Sequence, residues 1–228
     1  MGTNSSRKEF LILFATDSLA NPRIWNTHVE DGGSKSLAVD FINTYPMLVK
    51  ERIEQNIQKK VVANVYANRG SGYGMLVVRA ADFFHFYFPK GAAADITIFQ
   101  AGISECWLRE DAQPRVSTRV FEENVKKIID IKLRHDPDSP TIFVGIMPTT
   151  KKYQERQPEQ NKIITEWNSI IKENLIENCY YVDIEDFFYN NEDLQELMVH
   201  PDGHHLNIDG HKIYAELIVD VIKTIYKG

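Results

Sequence analysis

Short runs of consecutive apolar residues alternate along this chain with longer segments whose apolar residues recur every three or four positions. Phe10 to Ala15 is an unbroken apolar run that closes on Thr16-Asp17-Ser18. A run without polar alternation suits a strand buried on both faces of a parallel sheet. Val61 to Ala67, Ile96 to Ala101, Thr141 to Met147 and Tyr180 to Val182 repeat the pattern. Helical stripes lie between them: Leu37 to Gln58, kinked or restarted at Pro46, then Met75 to Phe84, Val116 to Leu133 and Gln160 to Leu175. A last helix starts at Asp209-Gly210 and buries Ile213, Tyr214, Leu217, Ile218, Val221, Ile222 and Ile225.

Strands that alternate with helices predict a three-layer α/β/α sandwich around a parallel sheet of about five strands, in flavodoxin-like order. No repeat, low-complexity tract or linker divides the chain. Residues 9–228 are read as one domain and residues 1–8 as a disordered or cloning-derived terminus. In such a sheet the ligand crevice lies beyond the carboxyl ends of the strands. Ser18, Gly70, Gly102 and Ser104 each follow a predicted strand, so they are expected to converge on one edge.

Composition narrows the function classes. The 228 residues suffice for one sizeable core, with 43% hydrophobic and 25% charged residues. A formal net charge of −6 offers no general attraction to nucleic acid or to an anionic membrane. Cys106 and Cys179 are the only cysteines, too few for a disulfide framework or a paired-cysteine metal knot. No apolar run reaches the length of a membrane span, and Met1 to Glu9 lacks the apolar middle of a secretory signal. The expectation is a cytoplasmic protein without stable membrane insertion. Met1-Gly2 through Lys8 fits the N-myristoylation pattern, which is too permissive to assign a lipid.

The chemistry sits at the two ends. Ser18 follows the first strand, and Asp202-Gly203-His204-His205-Leu206-Asn207 precedes the last helix. A serine hydroxyl becomes a nucleophile when an imidazole takes its proton and a carboxylate holds the imidazole tautomer. Four blocks carry a wider likeness in one order: Thr16-Asp17-Ser18-Leu19, Asn68-Arg69-Gly70-Ser71-Gly72, Gly102-Ile103-Ser104-Glu105 and the Asp202 to Asn207 run. Together they resemble the SGNH (GDSL-type) hydrolase family.

The resemblance implies Ser18 as nucleophile, His205 as base, Asp202 as its orienting acid, and an oxyanion hole drawn from Ser18, Gly70 and Ser104. It implies neither metal nor cofactor. Thr16 replaces the family's first glycine, and Ser104 stands where the third block has asparagine. Losing one oxyanion donor costs about a hundred- to a thousand-fold in rate. The hole is therefore expected to rest mainly on the Ser18 and Gly70 N–H groups, with Ser104 a weak or water-bridged third donor. An ionised Glu105 would repel the oxyanion.

Other patterns are weaker. His200, His204, His205 and His211 invite a zinc reading but lack the helical His-x-x-x-His pair with an intervening Glu. Gly70, Gly72 and Gly74 are misspaced for a dinucleotide loop. Asp17, Arg23 and Arg115 are candidates for gripping a polar or anionic substrate. The reading is a serine esterase cleaving an O-acyl ester from a small-molecule or saccharide substrate. An O-acyltransferase to a sugar with the same residues, or a catalytically silent carbohydrate-binding protein on the same fold, are the alternatives.

Overall fold

The computed structural model describes residues 9–23, 38–86, 94–200 and 202–227. Five strands, β1 (Glu9–Thr16), β2 (Lys60–Ala67), β3 (Ile96–Gln100), β4 (Thr141–Val144) and β5 (Cys179–Val182), form one sheet in the order β2-β1-β3-β4-β5. Every neighbouring pair is parallel. The expected α/β fold is thus present. β1 is an interior strand, paired on both sides, and its side chains divide by the two-residue period of a strand. Ile12 and Phe14 enter one core cluster and Leu13 and Ala15 the other.

Helices cover both faces. On one, α1 (Tyr45–Ile57) packs on the C-terminal helix α8 (Ile208–Lys227), and Tyr45, Val49, Ile53, Tyr214 and Ile218 join the Ile12 and Phe14 cluster. On the other, α2 (Tyr73–Ala81), α3 (Thr118–His135) and α5 (Gln160–Glu173) close over Leu13, Ala15, Phe99 and Phe143. Trp167 of α5 stacks on Phe121 of α3 with ring centroids 4.1 Å apart, at the centre of that second layer. Among the described residues there are also three short α-helices: α4 (Lys151–Gln154), α6 (Ile184–Asn190) and α7 (Glu192–Met198).

The differences from the sequence reading have local causes. Pro46 restarts a helix, one of its two expected effects. It occupies the first turn of α1, where its missing N–H would have had no partner anyway, and a separate 3-10 turn spans Phe41–Asn43. Leu37 itself and the segment Met1 to Lys8 lie outside the described residues. β4 ends at Val144, three residues early; the Gly145 N–H still donates to the Val182 carbonyl, and beyond it the Asn168 side chain takes the Ile146 backbone groups. Its Oδ1 accepts from the Ile146 N–H at 2.7 Å, and its Nδ2 donates to the Ile146 carbonyl at 2.9 Å. α2 starts at Tyr73 and passes into a π-helical turn over Asp82–Phe86. Among the described residues, no helix is long and apolar enough to cross a membrane.

Strand order fixes where a site can form. β1 pairs with β2 on one side and β3 on the other, so the connections leaving β1 and β3 diverge and open a crevice at their carboxyl ends. The register aligns the tips: Thr16 lies opposite Ala67 of β2 and Gln100 of β3. The Ser18 turn, the Asn68 to Gly72 turn and the Gly102 to Glu105 turn therefore emerge side by side.

Candidate active site

Ser18 opens a single 3-10 turn immediately after β1. The turn is set by Asp17, whose Oδ1 accepts from the Leu19 N–H at 2.9 Å, and by the Asp17 N–H bonding to the Gln100 carbonyl at 3.1 Å. The chain then brings in the other end of the sequence. Ser18 Oγ lies 2.9 Å from His205 Nε2, across 187 residues. His205 Nδ1 lies 2.9 Å from Asp202 Oδ2. With Nδ1–H donating to that carboxylate, Nε2 is left as the acceptor for the Ser18 hydroxyl.

The loop that carries His205 is held tightly. Asp202 Oδ1 accepts from the backbone N–H groups of His204 and His205, at 3.2 and 3.0 Å. His200 Nδ1 is 3.2 Å from Asp202 Oδ2, and the Arg23 Nη1 is 3.3 Å from the same oxygen. Gly203 turns at φ +84°, and a β-carbon there would lie 2.8 Å from Tyr153 Cβ, so the turn accepts only glycine without displacement. The Gly203 carbonyl ties the loop to α4 by accepting from the Thr150 N–H.

Burial sets the charges. It would raise the Asp202 carboxyl, but hydrogen bonds from His200 and His205 and the nearby imidazoles outweigh it and hold the group well below the usual carboxylate range. Burial lowers His205 to about 4, partly offset by Asp202. At neutral pH the site therefore pairs a neutral imidazole with an anionic carboxylate, the charge state a general base needs. His204 is also lowered, first by burial. His211 is pushed down to about 3 by burial, and its Nδ1 accepts from the Tyr45 N–H at 3.0 Å beneath the site.

Two backbone donors on the neighbouring turns after β1 and β2 are left unpaired. Among the described residues, neither the Ser18 N–H nor the Gly70 N–H has an acceptor within the chain. Gly70 takes φ +71°, a left-handed turn that glycine adopts without a β-carbon penalty. Ser104 is placed differently from the sequence expectation. Its Oγ lies 3.2 Å from the Gly70 carbonyl and 3.4 Å from the Ser71 carbonyl, so its single proton braces the turn that carries Gly70. Glu105 turns inward: its Oε2 accepts from the Tyr73 N–H at 2.8 Å at the start of α2. It fits because Gly72 has no side chain; a β-carbon there would stand 1.9 Å from Glu105 Cδ.

Of the three residues expected to grip substrate, Asp17 is only 1% exposed and faces the interior, where it fixes the serine turn. That expectation is corrected: a carboxyl sealed beneath the Ser18 turn has no surface to offer. Arg23 sits on the Asp202 carboxylate, and Arg115 lies over the Trp107 ring at 4.5 Å. Trp107 and Tyr153 in turn meet the His204 ring edge-on, at 5.5 and 5.3 Å. Neither aromatic was legible as part of the site, since each reaches it only through the fold. Asp202, His204 and His205 are grouped closely enough to hold a metal. Both ring nitrogens of His205 are already engaged, by Ser18 and Asp202, which favours proton transfer over ligation.

A model of the GDSL-like Lipase/Acylhydrolase family matches residues 30–213, a span holding Gly70, Ser104, Asp202 and His205. The chain belongs to this family. The family match begins after Ser18. A comparison with curated proteins finds no match. Solved structures of GDSL-family and related enzymes share the fold. A lipase/acylhydrolase from Enterococcus faecalis superposes with a TM-score of 0.66 at 18% identity, covering 95% of this chain and 96% of the other. An acetyl xylan esterase from Geobacillus stearothermophilus gives 0.67 at 17% identity, covering 93% and 94%. The esterase EstA from Pseudoalteromonas sp., solved inhibited by monoethylphosphonate, gives 0.62 at 14% identity, covering 96% and 99%.

Proposed function

We propose that this GDSL-family protein is a serine esterase that cleaves an O-acyl ester through an acyl-enzyme on Ser18. The observation that carries the reading is the continuous Ser18–His205–Asp202 hydrogen-bonded line, 2.9 Å at each side-chain step. In the forward step His205 Nε2 takes the Ser18 proton as Oγ bonds to the ester carbonyl carbon. The carbonyl oxygen becomes an oxyanion, and the unoccupied Ser18 and Gly70 N–H groups receive it. Collapse breaks the bond to the leaving alkoxide, which takes the proton back from His205. Water, deprotonated by His205, then releases the acid and restores the Ser18 hydroxyl. A polar or saccharide ester is the substrate class, a reading supported by the arginines near the opening and by the acetyl xylan esterase that shares the fold.

The test is covalent labelling by a neutral fluorophosphonate, with the modified peptide identified by mass. A single adduct on Ser18 is expected; no labelling, or an adduct elsewhere, overturns the reading. Release of acetate with and without an added sugar acceptor separates hydrolysis from acyl transfer.

The lowered His205 gives the pH dependence its sign. The neutral imidazole is the base, so kcat/KM should be full above and fall as the pH drops through about 4, rather than through the ordinary histidine value of 6.5. Because His205 and Asp202 titrate as a pair, that limb reports an apparent value for both. A pH–rate profile with folding followed by circular dichroism checks it. An acid limb near 6.5 would show that the imidazole is solvated in the working enzyme.

A further inference from the structure

Nine arginines fall among the described residues, and six of them pair with a carboxylate: Arg23, Arg52, Arg79, Arg109, Arg119 and Arg134. The remaining three, Arg69, Arg115 and Arg156, have no carboxylate partner among the described residues. In a chain with 32 acidic and 26 basic residues, carboxylates are not scarce. Each of the three nonetheless adjoins a residue beside Ser18 or His205: Arg69 precedes Gly70, Arg115 lies over Trp107, and the Arg156 N–H donates to the Tyr153 carbonyl. Arg69 adjoins Gly70 and lies near enough to Arg23 to lower its pKa, after burial and against Asp202. Arg115 stacks on Trp107, which meets His204 beside the reactive imidazole. Arg115 and Arg156 both act electrostatically on Tyr153, on the other side of His204.

These positions are all exposed, so their charge projects outward. Three acids of the site blocks do not cancel it. Asp202 is committed to His205, His200 and Arg23; Glu105 is turned in toward Tyr73; Asp17 is buried. Among the described residues the result is a set of uncancelled cations beside Ser18 and His205 on a protein whose net charge is negative, a field that concentrates anions there.

We propose that the ester this site takes is anionic, carrying a carboxylate or a phosphate that Arg69, Arg115 and Arg156 receive. The inference rests on the serine-esterase reading and narrows it from polar esters to charged ones. Guanidinium groups suit both anions, since their planar donors match two oxygens at once. The Trp107 ring beneath Arg115 holds that guanidinium in place.

The experiment measures protection of the full-length protein against a neutral fluorophosphonate by three matched ligands: methyl glucoside, methyl glucuronide and glucose 6-phosphate. The two anions should slow labelling of Ser18 at concentrations roughly tenfold or more below those the neutral glucoside needs. The advantage should shrink at about 0.5 M salt, where screening shortens to a few Å. It should shrink again in Arg69→Gln, Arg115→Gln and Arg156→Gln variants. The better of the two anions identifies carboxylate or phosphate as the recognised group. Equal protection by all three ligands, or an advantage that neither salt nor the variants reduce, overturns the inference and leaves the esterase reading standing. Failure of the fluorophosphonate to label Ser18 instead overturns the esterase reading itself.

Discussion

Ser18→Ala and His205→Ala should each lower kcat for ester hydrolysis by about a million-fold, and the double variant should fall no further. The reason is that the two side chains act as one unit. Without the imidazole, the Ser18 proton has nowhere to go; without Oγ, the imidazole has no nucleophile to activate. Groups that act jointly give losses of about 10⁶ singly and show no additivity. Asp202→Asn should cost less, about 10⁴-fold, because the amide presents an N–H where the carboxylate accepted one. His205 would then lose the partner that fixes its tautomer, and its Nε2 would no longer be held ready for the serine proton. The measurement is kcat by acetate release from a small acetyl ester, with folding checked by thermal melting. Additive losses in the double variant would mean that Ser18 and His205 act in separate steps. A residual rate of about 10³- to 10⁴-fold over water in all variants would mark the contribution of the Ser18 and Gly70 N–H groups.

How far the sequence reveals this molecule depends on the range of the interactions involved. β1 is legible because Phe10 to Ala15 needs burial on both sides, which an interior parallel strand covered by helices supplies. Ser18, Gly70, Asp202 and His205 are legible because each sits in a short block at a strand or helix end, and the order of those blocks is itself a signal. Local patterns fail where a distant partner decides. Arg23 reads as a substrate-facing cation, but the fold delivers it to Asp202. Ser104 reads as a weak oxyanion donor, but its proton is taken by the turn that carries Gly70. Glu105 reads as a threat to the oxyanion, yet 32 residues earlier the chain offers it the Tyr73 N–H and a glycine's empty space. Helices α4, α6 and α7 were missed because segments of seven residues or fewer carry too little period to stand out.

Asp17→Asn should stabilise the protein at alkaline pH and lose that advantage in acid. Burial raises the Asp17 carboxyl to about 7, against the pull of the Leu19 N–H and the Gln100 side chain, with Glu105 adding to the rise. Its Oδ2 is buried without a hydrogen-bond partner, as are Thr16 Oγ1 and the Tyr214 hydroxyl nearby in the core under the serine turn. An unfolded aspartate releases its proton near 3.8, whereas the folded one keeps it to about 7. Between those values the folded state binds the extra proton, so stability falls as the pH rises through this window and levels off above it. The upper bound is about 4 kcal/mol, from roughly three pKa units at about 1.4 kcal/mol each. Asparagine keeps an oxygen for the Leu19 N–H but carries no charge at any pH, and so escapes the penalty. The buried histidines work in the opposite direction: His205 and His211, held at about 4 and about 3, cost stability as the pH falls below 6.5. They are common to both proteins and cancel in the comparison. Denaturant melts of the two at pH 5 and pH 8 should therefore show a gap that opens with pH. A gap that is constant or closes with pH would mean that the carboxylate is ionised and satisfied in the fold. The serine would then stand on a charged turn rather than a neutral one.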